Sequence, residues 1–111
     1  MSKSKIQFFE EAFIRSVDTA INEVAEATYG KPGTPCVKLN DYVIELCASD
    51  RDNHTLTFYG SDHKIIAYVD YEMGVGITGY ELAGVQEDMY FELAGCLLTW
   101  QCEVMHQINS K

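Results

Sequence analysis

YVIELCASDRDNHTLTFYGSDHKIIAYVDYE, residues 42–72, is the stretch on which the fold turns. Tyr42 to Ala48 alternates Tyr42, Ile44 and Leu46 with Val43, Glu45 and Cys47. His54 to Tyr59 sets Leu56 and Phe58 against Thr55, Thr57 and Tyr59. Lys64 to Glu72 sets Ile65, Ala67, Val69 and Tyr71 against Ile66, Tyr68, Asp70 and Glu72. A period of two in β-branched and aromatic residues marks strands with one buried face. The connections Ser49–Asn53 and Gly60–His63 are short and rich in turn residues, so neighbouring strands are antiparallel hairpins. A fourth short strand is expected around Val75 to Thr78, and Val37 to Leu39 adds an edge.

Helical periodicity replaces this pattern on both sides. Ile6, Phe9, Phe13, Val17, Ala20, Ile21, Val24 and Ala27 recur at three- and four-residue steps, predicting one apolar stripe on a helix from Ser4 to Tyr29. Gly30 is placed to cap it, and Pro32 and Pro35 forbid its continuation. A second helix is predicted from Gln86 to Ile108, and its face distribution is unusual. Met89, Leu93, Cys96, Leu97, Trp100 and Val104 form one stripe, and Phe91, Ala94, Leu98, Cys102 and Met105 form another on the far side. A narrow polar strip of Asp88, Glu92, Thr99, Glu103 and His106 separates them. Such a helix needs two burial partners: the sheet, and either the first helix or another protein chain. In the latter case Phe91, Leu98, Cys102 and Met105 are the candidate oligomer interface, and a homodimer is one expectation. The whole reads as one α+β domain spanning 1–111: an N-terminal helix, an antiparallel sheet of three to four strands, and a long C-terminal helix packed on the sheet.

Charge narrows the partners. The chain of 111 residues has net charge −9, with 17 acids against 8 bases. Nucleic acid and anionic membranes need a positive surface, so neither is an expected direct partner. The asymmetry says more than the total. Residues 65–110 hold seven acids (Asp70, Glu72, Glu81, Glu87, Asp88, Glu92, Glu103) and no lysine or arginine. With no membrane-length apolar run and no signal-peptide pattern, a cytoplasmic location is expected. Cys36, Cys47, Cys96 and Cys102 lack Cys-x-x-Cys spacing, and in that compartment they read as reduced, buried and unreactive thiols.

Motifs with chemical meaning fail on context. Gly74-Val75-Gly76-Ile77-Thr78-Gly79 spells G-x-G-x-x-G, but the next helix starts too late and the flanking Asp70, Glu72 and Glu81 repel phosphate. It reads instead as a glycine-rich edge with Val75 and Ile77 facing inward. Asp50 to His54 resembles the start of a calcium loop, without the glycine or the distal glutamate such a loop needs. His54 and His63, with Asp50, Asp52 and Asp62, are a candidate metal cluster without characteristic ligand spacing. No serine or cysteine has a nucleophile context. Neither a catalytic residue nor a metal or cofactor is expected.

The remaining signal is a surface. Asp70, Glu72, Glu81, Glu87, Asp88 and Glu92 form the expected partner-binding acids, and Tyr59 and Tyr68 a candidate aromatic platform on the sheet. The favoured function is a small acidic protein-binding inhibitor or decoy that engages a basic, nucleic-acid-handling target. Anti-CRISPR and anti-restriction proteins of phages and mobile elements are of this kind, and the likeness to them is one of size and charge. The helix–strands–helix order and the Tyr42-to-Gly60 hairpin also resemble small dimeric type III secretion chaperones, which implies a dimeric acidic adaptor as the alternative. The chain is short for that family. A small ligand-binding domain or enzyme is the third class.

Overall fold

The structure, a computed structural model, describes residues 5–28, 36–39 and 42–109. Helix α1 spans Lys5–Thr28, and the expected ends at Ser4 and Tyr29, with Gly30, Pro32 and Pro35, lie outside the described residues. Five strands follow: β1 Cys36–Leu39, β2 Tyr42–Ala48, β3 Asn53–Tyr59, β4 Ile65–Glu72 and β5 Gly76–Glu81. Helix α2 spans Met89–Asn109. The strands form one antiparallel sheet in the order β1-β2-β3-β4-β5, so the edge expected at Val37 to Leu39 does form.

Each hairpin has a local cause. Between β2 and β3, Asp50 Oδ1 accepts the backbone N–H groups of Asp52 and Asn53, both at 2.9 Å, closing the turn with a side chain. Between β3 and β4, Gly60 N–H donates to the Lys64 carbonyl at 2.9 Å, and His63 takes a left-handed φ of 64°. Between β4 and β5, Gly74 and Gly76 adopt φ of 85° and 109°, which side chains resist. That turn corrects two expectations. The fourth strand runs later than Val75 to Thr78, and Val75 sits exposed at the hairpin tip rather than facing inward.

Both helices cover the same sheet face, α1 over β4 and β5 and α2 over β1 and β2. Ile44, Leu46, Leu56, Phe58, Ala67, Val69 and Tyr71 point into the layer between. Phe13 of α1 ties three elements together, with its ring 5.6 Å from both Phe58 of β3 and Tyr90 of α2. Trp100 is the largest fully buried side chain, and Leu93, Leu97 and Val104 share its face of α2. Tyr71 donates to Asn22 Oδ1 at 2.5 Å and so fastens the far end of β4 to α1.

The alternation expected along β4 breaks at its first residue. The register shifts between Phe58 and Tyr59, so Tyr59 faces Ile65 and Ile66 is the extra residue. Ile65 is therefore 59% exposed, and Ile66 packs against the core in its place. A bulge flips the faces on one side of it, and no periodicity announces it. The following loop passes so close to this bulge that a side chain at Gly84 would meet the Ile66 carbonyl oxygen at 2.5 Å. Past it, Leu82 and Val85 are buried, and the chain turns towards α2. The helix begins at Met89, three residues after the expected Gln86. Glu87 and Asp88 thus occupy a turn ahead of the helix, and Glu92 is the acid in its first turn.

Candidate protein-binding surface

Among the described residues no helix covers the sheet's second face, and three of the expected acids belong there. Tyr68, Asp70 and Glu72 alternate outward along β4, with Glu81 opposite Tyr68 on β5. On the other side Tyr68 faces Thr57, which faces Glu45 on β2. Tyr59 lies half-buried beside this row, so both tyrosines of the expected platform share the open face. Much of the polar surface here is used internally. Thr55 donates to Asp70 Oδ1 at 2.8 Å, and Glu81 Oε1 accepts the Ala83 N–H at 3.0 Å. Thr57 is buried between its neighbours.

Glu87, Asp88 and Glu92 are elsewhere. Glu87 and Asp88 lie in the turn that leads into α2 and Glu92 in its first turn, in the helical layer on the other side of the sheet, where Glu92 accepts a long hydrogen bond from the Tyr42 hydroxyl at 3.4 Å. The six acids therefore divide into two groups separated by the thickness of the sheet.

The helical group has apolar company. Phe91 is 71% and Leu98 64% exposed, on the side of α2 turned away from Trp100. With Gly95 and Cys102, also exposed, they recur at steps of four, three and four residues, one straight stripe along the helix. Phe8 of α1 is 57% exposed and extends the patch through Phe9, whose ring meets Phe91 edge-on at 5.1 Å and Phe8 at 6.0 Å. Helix α1 covers only part of the second stripe. Ala94 and Met105 pack against the core, whereas Phe91, Leu98 and Cys102 remain uncovered. Where the helices meet, Phe9, Ala12, Ser16, Phe91 and Ala94 line a shallow groove of about 100 Å³. Gln101 reaches across to Glu23 further along the same seam.

Gly95 stands out within this stripe. Beyond its chain neighbours and its own helix backbone, an added Cβ there would meet nothing within 4 Å, so no internal packing calls for glycine. Glycine in a helix interior costs roughly 0.5–1 kcal/mol against alanine. The effect is a notch between Phe91 and Leu98, one turn from each.

Other candidate sites dissolve on inspection. His54 stands near the start of β3 and His63 in the turn beyond its end, and from His54 to Tyr59 the strand alone spans about 16 Å at some 3.3 Å per residue. His54 is 7% exposed, faces Tyr71 on the core side, and leaves its Nδ1 without a hydrogen bond. His63 is exposed in a turn, and Asp62 accepts the Lys64 N–H at 3.1 Å. The Asn53 side-chain amide, then the two turn N–H groups, hold the Asp50 carboxyl below its ordinary pKa. These aspartates are turn-formers. Among the described residues no cluster of three or more His, Cys, Asp or Glu side chains is placed to hold a metal. The glycine motif is a hairpin, ten residues ahead of the next helix.

The thiols correct a further expectation. Cys47 and Cys102 are exposed, and Cys96 alone of the three described side chains is partly buried; that burial, then the nearby Glu92, raises its pKa. Cys47 donates to Glu45 Oε1 at 3.1 Å on the open sheet face. Apolar neighbours in sequence do not bury a cysteine whose position points outward. The Cys36 side chain lies outside what is described.

No helix of the described residues is long and apolar enough to cross a membrane. Compared with known proteins, the chain matches no family model, no curated protein and no solved structure.

Proposed function

We propose that this chain is a small protein-binding inhibitor or decoy that engages a basic target through the outer face of its helical layer. One observation carries the reading: Phe91 and Leu98 stand exposed beside Asp88, Glu92 and Glu103, on a helix with no lysine or arginine of its own. Large apolar side chains left in water, rimmed by charge of one sign, are a feature of interaction sites. The rim steers a positively charged partner, and the apolar centre holds it. Proteins that grip nucleic acid expose strong positive surfaces, which makes a nuclease or another nucleic-acid-handling machine the favoured target class. A mobile-element protein directed against CRISPR or restriction systems fits that chemistry.

The test is comparative capture. Wild-type chain and the Glu87→Lys, Asp88→Lys, Glu92→Lys triple variant are used side by side on bacterial lysate, followed by mass spectrometry and a nuclease assay on what is recovered. The expected result is a basic nuclease or effector complex, inhibited by the wild type and missing from the variant. Identical recoveries from both proteins at low salt would sink the proposal. The dimeric adaptor reading draws on the same apolar stripe, and recovery of a single secreted client would favour it.

A further inference from the structure

We infer that the partner presents a basic amphipathic α-helix, laid along α2 with one bulky apolar side chain seated in the notch at Gly95. This rests on the proposed protein-binding reading and specifies the element that is bound. From Phe91 to Cys102 the stripe runs eleven residues, about 16 Å at 1.5 Å per residue, which is the length of three helical turns. A partner helix with apolar residues at three- and four-residue spacing matches that row over its whole length. The notch supplies the register. Gly95 has open space where a side chain would stand, between Phe91 on one turn and Leu98 on the next. It thus forms a shallow seat with Phe91 and Leu98 as its apolar wall, and with Glu92 and the Thr99 hydroxyl, which donates to the Gly95 carbonyl at 3.1 Å, on the acidic flank.

Charge decides between a foreign helix and a second copy of this chain. On one flank of the stripe α2 carries Asp88, Glu92, Thr99, Glu103 and His106, all but Asp88 within the helix proper. Antiparallel pairing of two copies about Gly95 and Leu98 brings the Glu92 of each near the Glu103 of the other. Parallel two-fold pairing puts the two acidic flanks on opposite edges of the seam, and there the opposing force is the repulsion of two chains each at −9. Like charges meet directly in the antiparallel arrangement, and both arrangements bring two acidic chains together. Lysines and arginines flanking the apolar row of a partner helix meet the same carboxylates favourably. An extended basic segment would satisfy the acids but would leave the row of Phe91, Leu98 and Cys102 without its spaced counterparts.

The test uses two fluorescent 18-residue peptides made only of leucine and lysine. One is patterned as an amphipathic helix, and the other is a scramble of the same composition. Each is titrated by anisotropy into the full chain and into three variants: Leu98→Asp, Gly95→Leu, and the triple lysine reversal at Glu87, Asp88 and Glu92. The patterned peptide should bind at least about tenfold tighter than the scramble, a gap that burial of one or two leucines supplies. Leu98→Asp adds negative charge, so purely electrostatic binding would hold or strengthen, whereas helix docking weakens. Gly95→Leu fills the notch: thermal stability should rise while the preference for the patterned peptide falls. If both peptides bind alike and both are lost in the triple reversal, the helix inference fails and the acidic-surface reading stands. If Gly95→Leu binds the patterned peptide as well as wild type does, the inference fails. It also fails if the wild type is a dimer at micromolar concentration that Leu98→Asp separates, since the occupant is then a second copy. Should neither peptide bind at low salt, the inference is overturned, and the capture experiment alone judges the reading beneath it.

Discussion

The two broad faces of this molecule carry similar charge and very different apolar surface. On the open sheet face the exposed large side chains are Tyr68, whose hydroxyl is at home in water and which has threonines around it, and Ile65, a single hydrocarbon at the bulge. Its acids are partly used: Asp70 accepts from Thr55, and Glu81 from the loop beyond it. On the outer helical face the exposed groups are Phe8, Phe91 and Leu98, which have no polar atom to offer. A tyrosine on a solvated sheet is ordinary cross-strand pairing. Three large hydrocarbons in one patch are not explained by the fold, because the core closes without them. Acidic charge alone does not separate a working surface from a solubilising one; uncovered hydrocarbon beside it does.

The largest effect is expected where both faces depend on one element. Trp100→Ala empties the centre of the helical layer and should cost about 3–5 kcal/mol, read as a lowered urea midpoint, with both faces losing definition together. Gly84→Ala is a milder version of the same break, since its methyl group would press on the Ile66 backbone.

Next comes the contrast itself. Lysine reversal of Glu87, Asp88 and Glu92 should weaken partner binding on the order of tenfold at low salt, as three rim charges at a few tenths to one kcal/mol each imply. Reversal of Asp70, Glu72 and Glu81 should leave binding within about twofold by the same measure. If the second set matters more, the open sheet face is the working one. Thr55→Val, which removes the donor to Asp70, should cost about 1 kcal/mol of stability and no affinity.

Thiol reactivity tests exposure on both faces at once. Cys47 and Cys102 should react rapidly with a maleimide under native conditions, one from each face, and Cys96 slowly. Partner binding should protect Cys102 and not Cys47. The smallest effect concerns alkaline pH. Burial, before the nearby Asp18 and Glu26, raises the Tyr71 hydroxyl above its ordinary 10.0, and burial raises Tyr90 before Glu10 and Tyr80 do. The folded state holds these phenols neutral more firmly than the unfolded chain does. Their contribution is complete below pH 10 and is lost as pH climbs through the raised values. Urea midpoints flat across that range would show that neither hydroxyl is held by the fold.

Periodicity made the elements legible: the strand alternation, the one-faced α1 and the two-striped α2 all follow from spacing. Exposure at single positions was less so. Cys47 alternates outward from Ile44 and Leu46, so its exposure was available from the pattern and was obscured by its apolar neighbours. The fate of Phe91, Leu98 and Cys102 was not available. It depends on where α1 crosses α2, and α1 settles over β4 and β5 with α2 over β1 and β2. The division of the six acids was hidden for the same reason. A sequence places Glu81 and Glu87 six residues apart, and the loop through Gly84 puts a sheet between the groups they belong to.

The order of strands has a consequence for how the chain assembles. Every sheet pairing joins neighbours in sequence, so each hairpin closes over a short loop at little entropic cost. The seam between α1 and α2 is different: Glu23 and Gln101 are 78 residues apart. During synthesis α1 is made before the sheet, and its stripe of Phe13, Val17, Ile21 and Val24 waits for the strands and then for α2. Contacts this distant set the folding rate more than stability does. Bringing α1 and α2 together therefore closes a far longer loop than any hairpin of the sheet does. Until then the meander stands with its apolar side unroofed, and both of its outermost strands invite pairing with another chain.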